Sequence, residues 1–589
     1  MIFRFQNGNK GAYMNYRIEY ENWILSPALS KEGADELKAI EQNEKEKEYR
    51  FGAELQFGTA GMRGLIGMGT NMMNVYTVKR ATKGLAEYIK ASGEDAVKRG
   101  VAISYDTRRK STEFALAAAG VLVKEGITVC LYAEPRPVPM LSYAVRKLDC
   151  FAGIMITASH NPKEYNGYKV YGEDGAQMSP EATETVVGYI KKITDYFSVD
   201  GIAFDCVEKA KRYGVKVIGR FFERKYYAEL LKLCLSKKAV KQEGKKIKLV
   251  YTPVHGTGFI PVTTVLKKLG IKATVVEEQC KPDTEFSTVK VPNPEYKETL
   301  SMAIELANKI KADVVFGTDP DCDRLGVAVR DKEGEFRALS GNQVGVLLLN
   351  YVLTRLKQEN KLTPDCFAVK SFVSTGLAKA VADGFGVELK ETPVGFKFIG
   401  EKIKEAEESG KGTFVFGFEE SCGYLRGTHA RDKDAVVASM LFAEMVCYYN
   451  SIGVSVFDVL MSIYEKFGYC KDETDCIAFS GLNAMAEMNA AVEKVAAMKI
   501  DKIDIYTVAA VRNYETGVRV KSDGEEEKLE YSGLNCLYFE LDNGGFVCLR
   551  PSGTEPKLKI YYSVYAKDEE RATEGIEGLK KAFEKILKN

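Results

Sequence analysis

Three times along the chain, short β-branched runs alternate with stretches of helical period, and this rhythm restricts the fold more than any other feature. The first set has strands near 101–105 (VAISY), 127–132 (ITVCLY) and 151–156 (FAGIMI), with helical patterns near 111–125 and 137–148. The second has strands near 247–252, 272–277 and 313–317, with helices near 258–269 and 295–310. The third has strands near 366–371, 386–390 and 413–417, with helices near 340–357, 374–383 and 396–408. Such alternation indicates parallel α/β sheets covered by helices. After a helix near 455–467 the pattern changes. Strands near 472–479, 503–511, 535–541, 545–549 and 558–565 come with fewer helices, and an amphipathic helix begins at about 567. The fold class is therefore α/β: three related α/β domains with mixed sheets plus a C-terminal α+β domain. Four domains also suit 589 residues at roughly 150 residues each. The expected boundaries are 1–205, 206–332, 333–455 and 456–589.

Composition excludes several classes. A net charge of +1 gives no reason to expect nucleic acid. The longest apolar runs, such as 343–353, fall far short of the roughly 20 residues of a membrane span. The 13 cysteines are scattered without a C-x-x-C pair, and three histidines leave little for zinc. Such cysteines suit buried thiols in a reducing, cytoplasmic setting. The first residues lack the apolar segment of a secretory signal, and Met14 is an alternative start. Two charged stretches, 236–247 (SKKAVKQEGKKI) and 521–530 (KSDGEEEKLE), read as solvated loops.

Four loops carry chemistry. The strand FAGIMI runs into TASHNP, placing Ser159 and His160 at a strand's carboxyl end, where α/β sheets bind ligands. The segment reads as a turn with a capping serine or as a phosphate acceptor. A Ser159–His160 catalytic dyad is disfavoured, because adjacent side chains rarely face each other. GTDPDCDRLG, 317–326, follows the next such strand, and alternating Asp319, Asp321 and Asp323 can aim three hard oxygen ligands to one side. An EF-hand would need Gly and Glu where Arg324 and Arg330 stand. FGFEESCGYLRGTHARDKDA, 416–435, reads by itself as an exposed acidic turn or as a sugar-binding loop, with Glu419, Glu420 and Ser421 offering acceptors suited to sugar hydroxyls. LRPSGTEPKLKIYY, 549–562, reads as a simple turn between strands or as a phosphate cradle of Arg550, Ser552, Gly553 and Thr554, with Lys557 or Lys559 nearby. FGTAGMRG, ending in Arg63, and SYDTRRKS, with Arg108 and Arg109, can each bring positive charge to an anionic site.

Taken in order, these loops resemble those of the α-D-phosphohexomutase superfamily, the phosphoglucomutase and phosphomannomutase enzymes. The resemblance covers almost the whole chain and implies four domains around a central cleft, each giving one loop. It implies that Ser159 carries a phosphoryl group. Asp319, Asp321 and Asp323 would hold one Mg²⁺ per chain, completed by a phosphoserine oxygen of Ser159. It assigns substrate contacts to Arg324, Val394, Gly395, Glu419, Ser421 and Lys433, and phosphate binding to Arg550, Ser552, Gly553 and Thr554. Arg63 and Lys169 resemble basic residues near the phosphoserine, with Lys169 the best candidate base; His160 has a supporting role. The implied reaction interconverts glucose 1-phosphate and glucose 6-phosphate, with a hexose 1,6-bisphosphate as intermediate and activator. Mannose or pentose phosphates are the alternative substrates. A serine hydrolase or a non-catalytic sugar-phosphate sensor is the reading outside this mechanism. No nucleic acid or membrane partner is expected, and the oligomeric state stays open. Two positions depart from the family: Gly423 stands where many bifunctional bacterial members carry histidine, and Val394 where relatives often carry a hydroxyl.

Overall fold

A computed structural model describes residues 15–58, 61–479, 484–552 and 557–588. The chain divides into two compact units. The first holds residues up to Arg224 together with His255–Thr257 and Lys281–Pro292; the second holds the remainder.

The first unit is built on a six-stranded sheet. Its strands are β1 (Met62–Leu65), β2 (Val101–Tyr105), β3 (Val129–Tyr132), β4 (Ala152–Ile156), β5 (Tyr165–Tyr171) and β6 (Lys216–Ile218), in spatial order β1-β5-β4-β2-β3-β6. β2, β3, β4 and β6 run parallel, while β5 turns back antiparallel on β4 and β1 pairs antiparallel with β5. β2, β3 and β4 are buried along their whole length, which is why they read as continuous apolar runs. Helices Val75–Ala91 and Ser111–Lys124 contribute much of this core, including Leu85, Ile89, Phe114 and Leu122. β6 lies beyond the boundary expected at 205, because its pairing with β3 ties it to this sheet.

The second unit carries three sheets. One has β7 (Leu249–Thr252), β8 (Ala273–Val275), β9 (Val314–Thr318), β10 (Leu325–Arg330) and β11 (Phe336–Leu339), in order β11-β10-β9-β7-β8. The next has β12 (Cys366–Ser371), β13 (Glu388–Thr392), β14 (Thr413–Glu419) and β15 (Gly423–Leu425), in order β13-β12-β14-β15. The last is antiparallel: β16 (Tyr469–Ala478), β17 (Lys502–Ile503), β18 (Tyr506–Asn513), β19 (Val518–Lys521), β20 (Glu526–Lys528), β21 (Leu537–Leu541), β22 (Phe546–Pro551) and β23 (Lys557–Ala566). Helices Ala484–Ala496 and Glu569–Lys588 supply Met488, Val492, Ile576 and Leu579 to its core.

The first three sheets repeat one plan. A central parallel strand has a parallel neighbour on each side, and the third parallel strand in chain order (β4, β9 or β14) turns back into an antiparallel strand. Each sheet is thus mixed rather than purely parallel. The turns from β4 to β5, β9 to β10 and β14 to β15 carry the first three of the four loops singled out in the sequence.

Both stretches read as solvated loops contain regular structure. Lys237–Glu243 is a helix, and burial of Ala239 and Val240 fixes it against helix Ala435–Ser451. Within 521–530, β20 pairs with β19, and its charges form a ladder of Arg519–Glu527 and Lys521–Glu527 ion pairs at 2.7 Å. The helix Val456–Phe467, expected to open the fourth domain, packs against Gly341–Gln358 and Leu377–Phe385 beside the third sheet. Among the described residues no single helix is long and apolar enough to cross a membrane. None of the 13 cysteines forms a disulfide.

Candidate active site

In the first unit, β4 delivers Thr157, Ala158 and Ser159 to the sheet edge. The Thr157 hydroxyl donates to Asp106 at 2.6 Å and accepts the Ser159 backbone N–H at 2.8 Å. Asp106 also accepts from Ser111 and pairs with the Arg108 Nε at 3.3 Å. The Arg108 guanidinium then donates to the carbonyls of Ser159, Asn161, Pro162 and Tyr165. Arg108, one of the two arginines of SYDTRRKS, therefore clamps the loop. Its face also covers the Phe286 ring, 5.0 Å from the centroid. Burial pushes the Asp106 carboxyl up, and Arg108, Ser111 and Thr157 offset this only in part.

Ser159 has φ of +52°, a left-handed backbone in a non-glycine residue. Its Oγ lies 3.2 Å from His160 Nδ1. The expectation that adjacent Ser159 and His160 side chains do not meet is overturned, since the left-handed residue bends the chain sharply between them. Arg63, on β1, donates to the Asn161 side chain at 3.0 Å and sits in register with Gly167. Lys169 lies on β5 opposite Met155 and is buried. Gly61, at φ +82°, presses on this strand: a Cβ there would stand 2.0 Å from the Tyr168 carbonyl and 2.9 Å from Lys169 Cα. Gly61 of FGTAGMRG is thus seated on the strand that carries Lys169, while Thr59 and Ala60 lie outside the described residues.

In the second unit, the β9–β10 turn gathers Asp319, Asp321 and Asp323. All three are buried, with one oxygen from each lying within 4.8 Å of the others. The backbone N–H groups of Asp323 and Arg324 both donate to Asp319 Oδ1 at 3.1 Å. Burial, then the charges of Asp321 and Asp323, push Asp319 well above the usual carboxylate range. A divalent ion would relieve this repulsion, and three hard oxygen donors fit one. The Lys433 ammonium neutralises part of the charge, 3.3 Å from Asp323 and 2.9 Å from Asp432. Burial alone would lower Lys433; Asp323, Asp432 and Glu419 outweigh it and raise it. Arg324 pairs with Glu295, a partner not singled out in the sequence.

The sugar-type loop is joined directly to this cluster. Arg324 and Gly423 form an antiparallel bridge, and the Leu325 N–H donates to the Cys422 carbonyl at 3.0 Å. A Cβ on Gly423 would lie 2.3 Å from Lys433 Cδ and 2.7 Å from its Cγ. The missing side chain at 423 is therefore the slot that holds the Lys433 stem, a physical reason for the departure noted at this position. Glu419 is buried at the end of β14 and accepts the Gly395 N–H at 2.7 Å. Burial, with help from Glu420 and against Lys433, pushes Glu419 up to about 7. Glu420 accepts from Ser371 at 3.0 Å, and its own N–H donates to Ser374 at 3.0 Å. Ser421 follows, half-buried. Val394, expected among the substrate contacts, is half-buried and packs on the apolar cluster of Phe372, Val373, Tyr514 and Tyr538. Gly395 at φ +128° leads into helix Phe396–Ser409.

His429 also finds a place: its Nε2 lies 2.7 Å from Asp434, which accepts Tyr226 at 2.8 Å and caps helix Ala435–Ser451. The Ala435 N–H reaches the Cys322 carbonyl at 3.3 Å, so this trio supports the acidic loop from behind. On the last sheet, Arg550 lies near the end of β22 with Nη1 3.5 Å from the Tyr561 hydroxyl, and the Ser552 N–H donates to the Lys557 carbonyl at 2.8 Å. Gly553 and Thr554 lie outside the described residues. Asp106 and Thr157 had one sequence signal: each directly follows an apolar strand of the first sheet.

Comparison with known proteins agrees with this architecture. Models of the phosphoglucomutase/phosphomannomutase α/β/α domains I, II and III match residues 54–197, 224–334 and 340–467. A Staphylococcus aureus (strain USA300) phosphoglucomutase is 36% identical over 552 residues, covering 93% of this chain and 96% of its own. A Thermus thermophilus crystal structure assigned as a phosphomannomutase is 23% identical with TM-score 0.67, covering 91% of this chain and 100% of that one. The open form of parafusin, a Paramecium phosphoglucomutase, is 18% identical with TM-score 0.63, covering 91% and 95%.

Proposed function

The chain belongs to the phosphoglucomutase/phosphomannomutase family of the α-D-phosphohexomutase superfamily, and on that premise we propose that it interconverts α-D-glucose 1-phosphate and D-glucose 6-phosphate. The observation that carries this reading is the fusion of the acidic loop to the sugar-type loop at Arg324 and Gly423, with Lys433 against both. A cation site and hydroxyl acceptors are thereby built as one piece.

In this reading Ser159 arrives phosphorylated and gives its phosphoryl group to the free hydroxyl of the monophosphate. The resulting hexose 1,6-bisphosphate turns over, and its other phosphate returns to Ser159. Phosphoryl transfer depends on positioning and charge stabilisation, and the Arg108 clamp and the Thr157 hydroxyl provide positioning by holding the Ser159 backbone. Lys169 takes the hydroxyl proton, with Arg63 and His160 beside the serine loop. Glu419, Ser421 and Gly395 orient the sugar, and Arg550 with Ser552 to Thr554 holds the phosphate that is not reacting. Asp319, Asp321 and Asp323 would hold Mg²⁺, which when bound would neutralise charge on the transferring group. The unpaired thiols fit a cytoplasmic enzyme.

The test is a coupled assay with glucose 1-phosphate, mannose 1-phosphate and ribose 1-phosphate, together with peptide mass analysis. Phosphate on the Ser159 peptide, discharged by excess monophosphate, and the highest kcat/KM for glucose 1-phosphate are expected. Full turnover by Ser159→Ala would sink the mechanism, and a higher kcat/KM for ribose 1-phosphate would reassign the substrate.

A further inference from the structure

A chain of charge runs from the last sheet of the second unit to the sugar-type loop. Arg512, on β18, donates to Glu391 Oε2 at 3.0 Å. Glu391, on β13, takes Lys370 Nζ on its other oxygen at 2.7 Å, and the two are register partners on adjacent parallel strands. The Lys370 ammonium is buried and also donates to the carbonyls of Ser374 at 3.1 Å and Ser371 at 3.4 Å. The hydroxyls of those serines lie 2.7 Å apart and hold Glu420, the residue between Glu419 and Ser421. At its far end, Arg512 is fixed by Glu540, which is shared with Arg519, and covers the Tyr538 ring at 4.8 Å.

Each link has a physical reason to persist. A buried ammonium needs a counter-charge and carbonyls for its remaining protons. Burial raises the Glu391 carboxyl, but Lys370 and Arg512 outweigh it and hold it down to about 2, so it stays ionised in any working buffer. Apolar packing closes the same junction: Phe372 stacks on Tyr514 at 4.5 Å and 12°, beside Val373 and Tyr538. The triad thus sits where the loop after β12 meets the sheet that carries Arg550.

We propose that Arg512, Glu391 and Lys370 are positioning residues that set the sugar loop according to the placement of the phosphate-binding sheet. The idea rests on the mutase reading for its meaning. A monophosphate must span both elements, so a fixed link between them sets the distance at which sugar and phosphate are held. Losing Arg512 releases Glu391 from the last sheet while leaving Lys370 paired, so the loop keeps its fold and loses its reference.

The experiment compares Arg512→Gln, Glu391→Gln, the double variant and Arg512→Lys. We expect Arg512→Gln to raise KM for glucose 1-phosphate about threefold to tenfold while kcat stays within about twofold. Amide exchange of peptides spanning 418–425 should accelerate without any substrate present. The double variant should lose no more than the worse single one, and Arg512→Lys should recover part of the KM. Unchanged exchange at 418–425, or KM losses that multiply in the double variant, would overturn the proposal. If Arg512→Gln does not fold, the near-isosteric Glu391→Gln and the charge-retaining Arg512→Lys carry the same comparison. Exchange needs no turnover, so an inactive wild-type protein would defeat the mutase reading while the loop readout still stood.

Discussion

At the scale of single residues, Gly423 and Lys433 are one feature seen from two places. The lysine stem fills the space of the absent side chain, and its ammonium reaches Asp323. Gly423→Ala must push Lys433 aside. The expected cost is about 1–3 kcal/mol of stability, read by urea denaturation, with kcat/KM falling as Lys433 leaves the acidic loop. Retention of both would show that the slot is not needed. Glu419 makes a pH prediction. Its folded pKa, about 7, is raised above the ordinary carboxylate value, so the folded state binds the extra proton in that window. Its contribution to stability is fully present below the unfolded pKa and is lost as pH rises toward 7. Denaturation midpoints across this window should fall more steeply for the wild type than for Glu419→Gln. The acidic and hydroxyl residues of the four loops were legible because residue type announces chemistry. The Ser159–His160 contact was not, because it depends on a positive φ that no side chain signals in this stretch.

At the scale of elements, each candidate loop of the first three sheets lies where a parallel strand turns back into an antiparallel one. Each contains a left-handed non-glycine residue: Ser159 at φ +52°, Cys322 at +52° and Cys422 at +61°. Such residues cost energy and persist only where surrounding bonds over-determine them, and Arg108 is that restraint for the serine loop. Arg108→Ala would leave Asp106 with its hydroxyl donors but no counter-charge and would free several carbonyls together, and breaking a buried pair of this kind costs about 3–5 kcal/mol. Arg108→Lys should rescue little, since one ammonium cannot span the same four carbonyls. Denaturation and amide exchange over 157–165 measure both. Helices such as Ser111–Lys124 and Gly341–Gln358 fall within a residue or so of their expected positions, because long apolar periodicity leaves few alternatives. β5, the helix Lys237–Glu243 and the β19–β20 hairpin were missed. Their sequences are largely polar or charged, and what orders them is pairing and packing: β4 and the distant β1 for β5, helix Ala435–Ser451 for Lys237–Glu243, and β18 for the hairpin.

At the scale of the whole molecule, the repeated plan explains why so much of the fold could be read. Three sheets each solve the same problem of burying a parallel strand on both faces, so their patterns repeat along the chain. The last sheet, antiparallel and half-solvated in places, carries a weaker signal. The plan also concentrates cost at one point: three buried carboxylates in a single turn, with Lys433 as partial relief. A ligand that binds only the folded chain stabilises it by mass action, by about 2.7 kcal/mol at a hundredfold excess over its Kd. Mg²⁺ should therefore raise the thermal unfolding midpoint of the metal-free protein by several degrees, and EDTA should reverse it. Asp321→Asn removes one donor and one repelling charge together. That variant should be at least as stable as the wild type in EDTA, and should lose most of the rise produced by Mg²⁺. Calorimetric scans of both proteins, with and without the ion, measure the two effects separately. An equal Mg²⁺ response in wild type and variant would place the cation away from the Asp319–Asp323 turn.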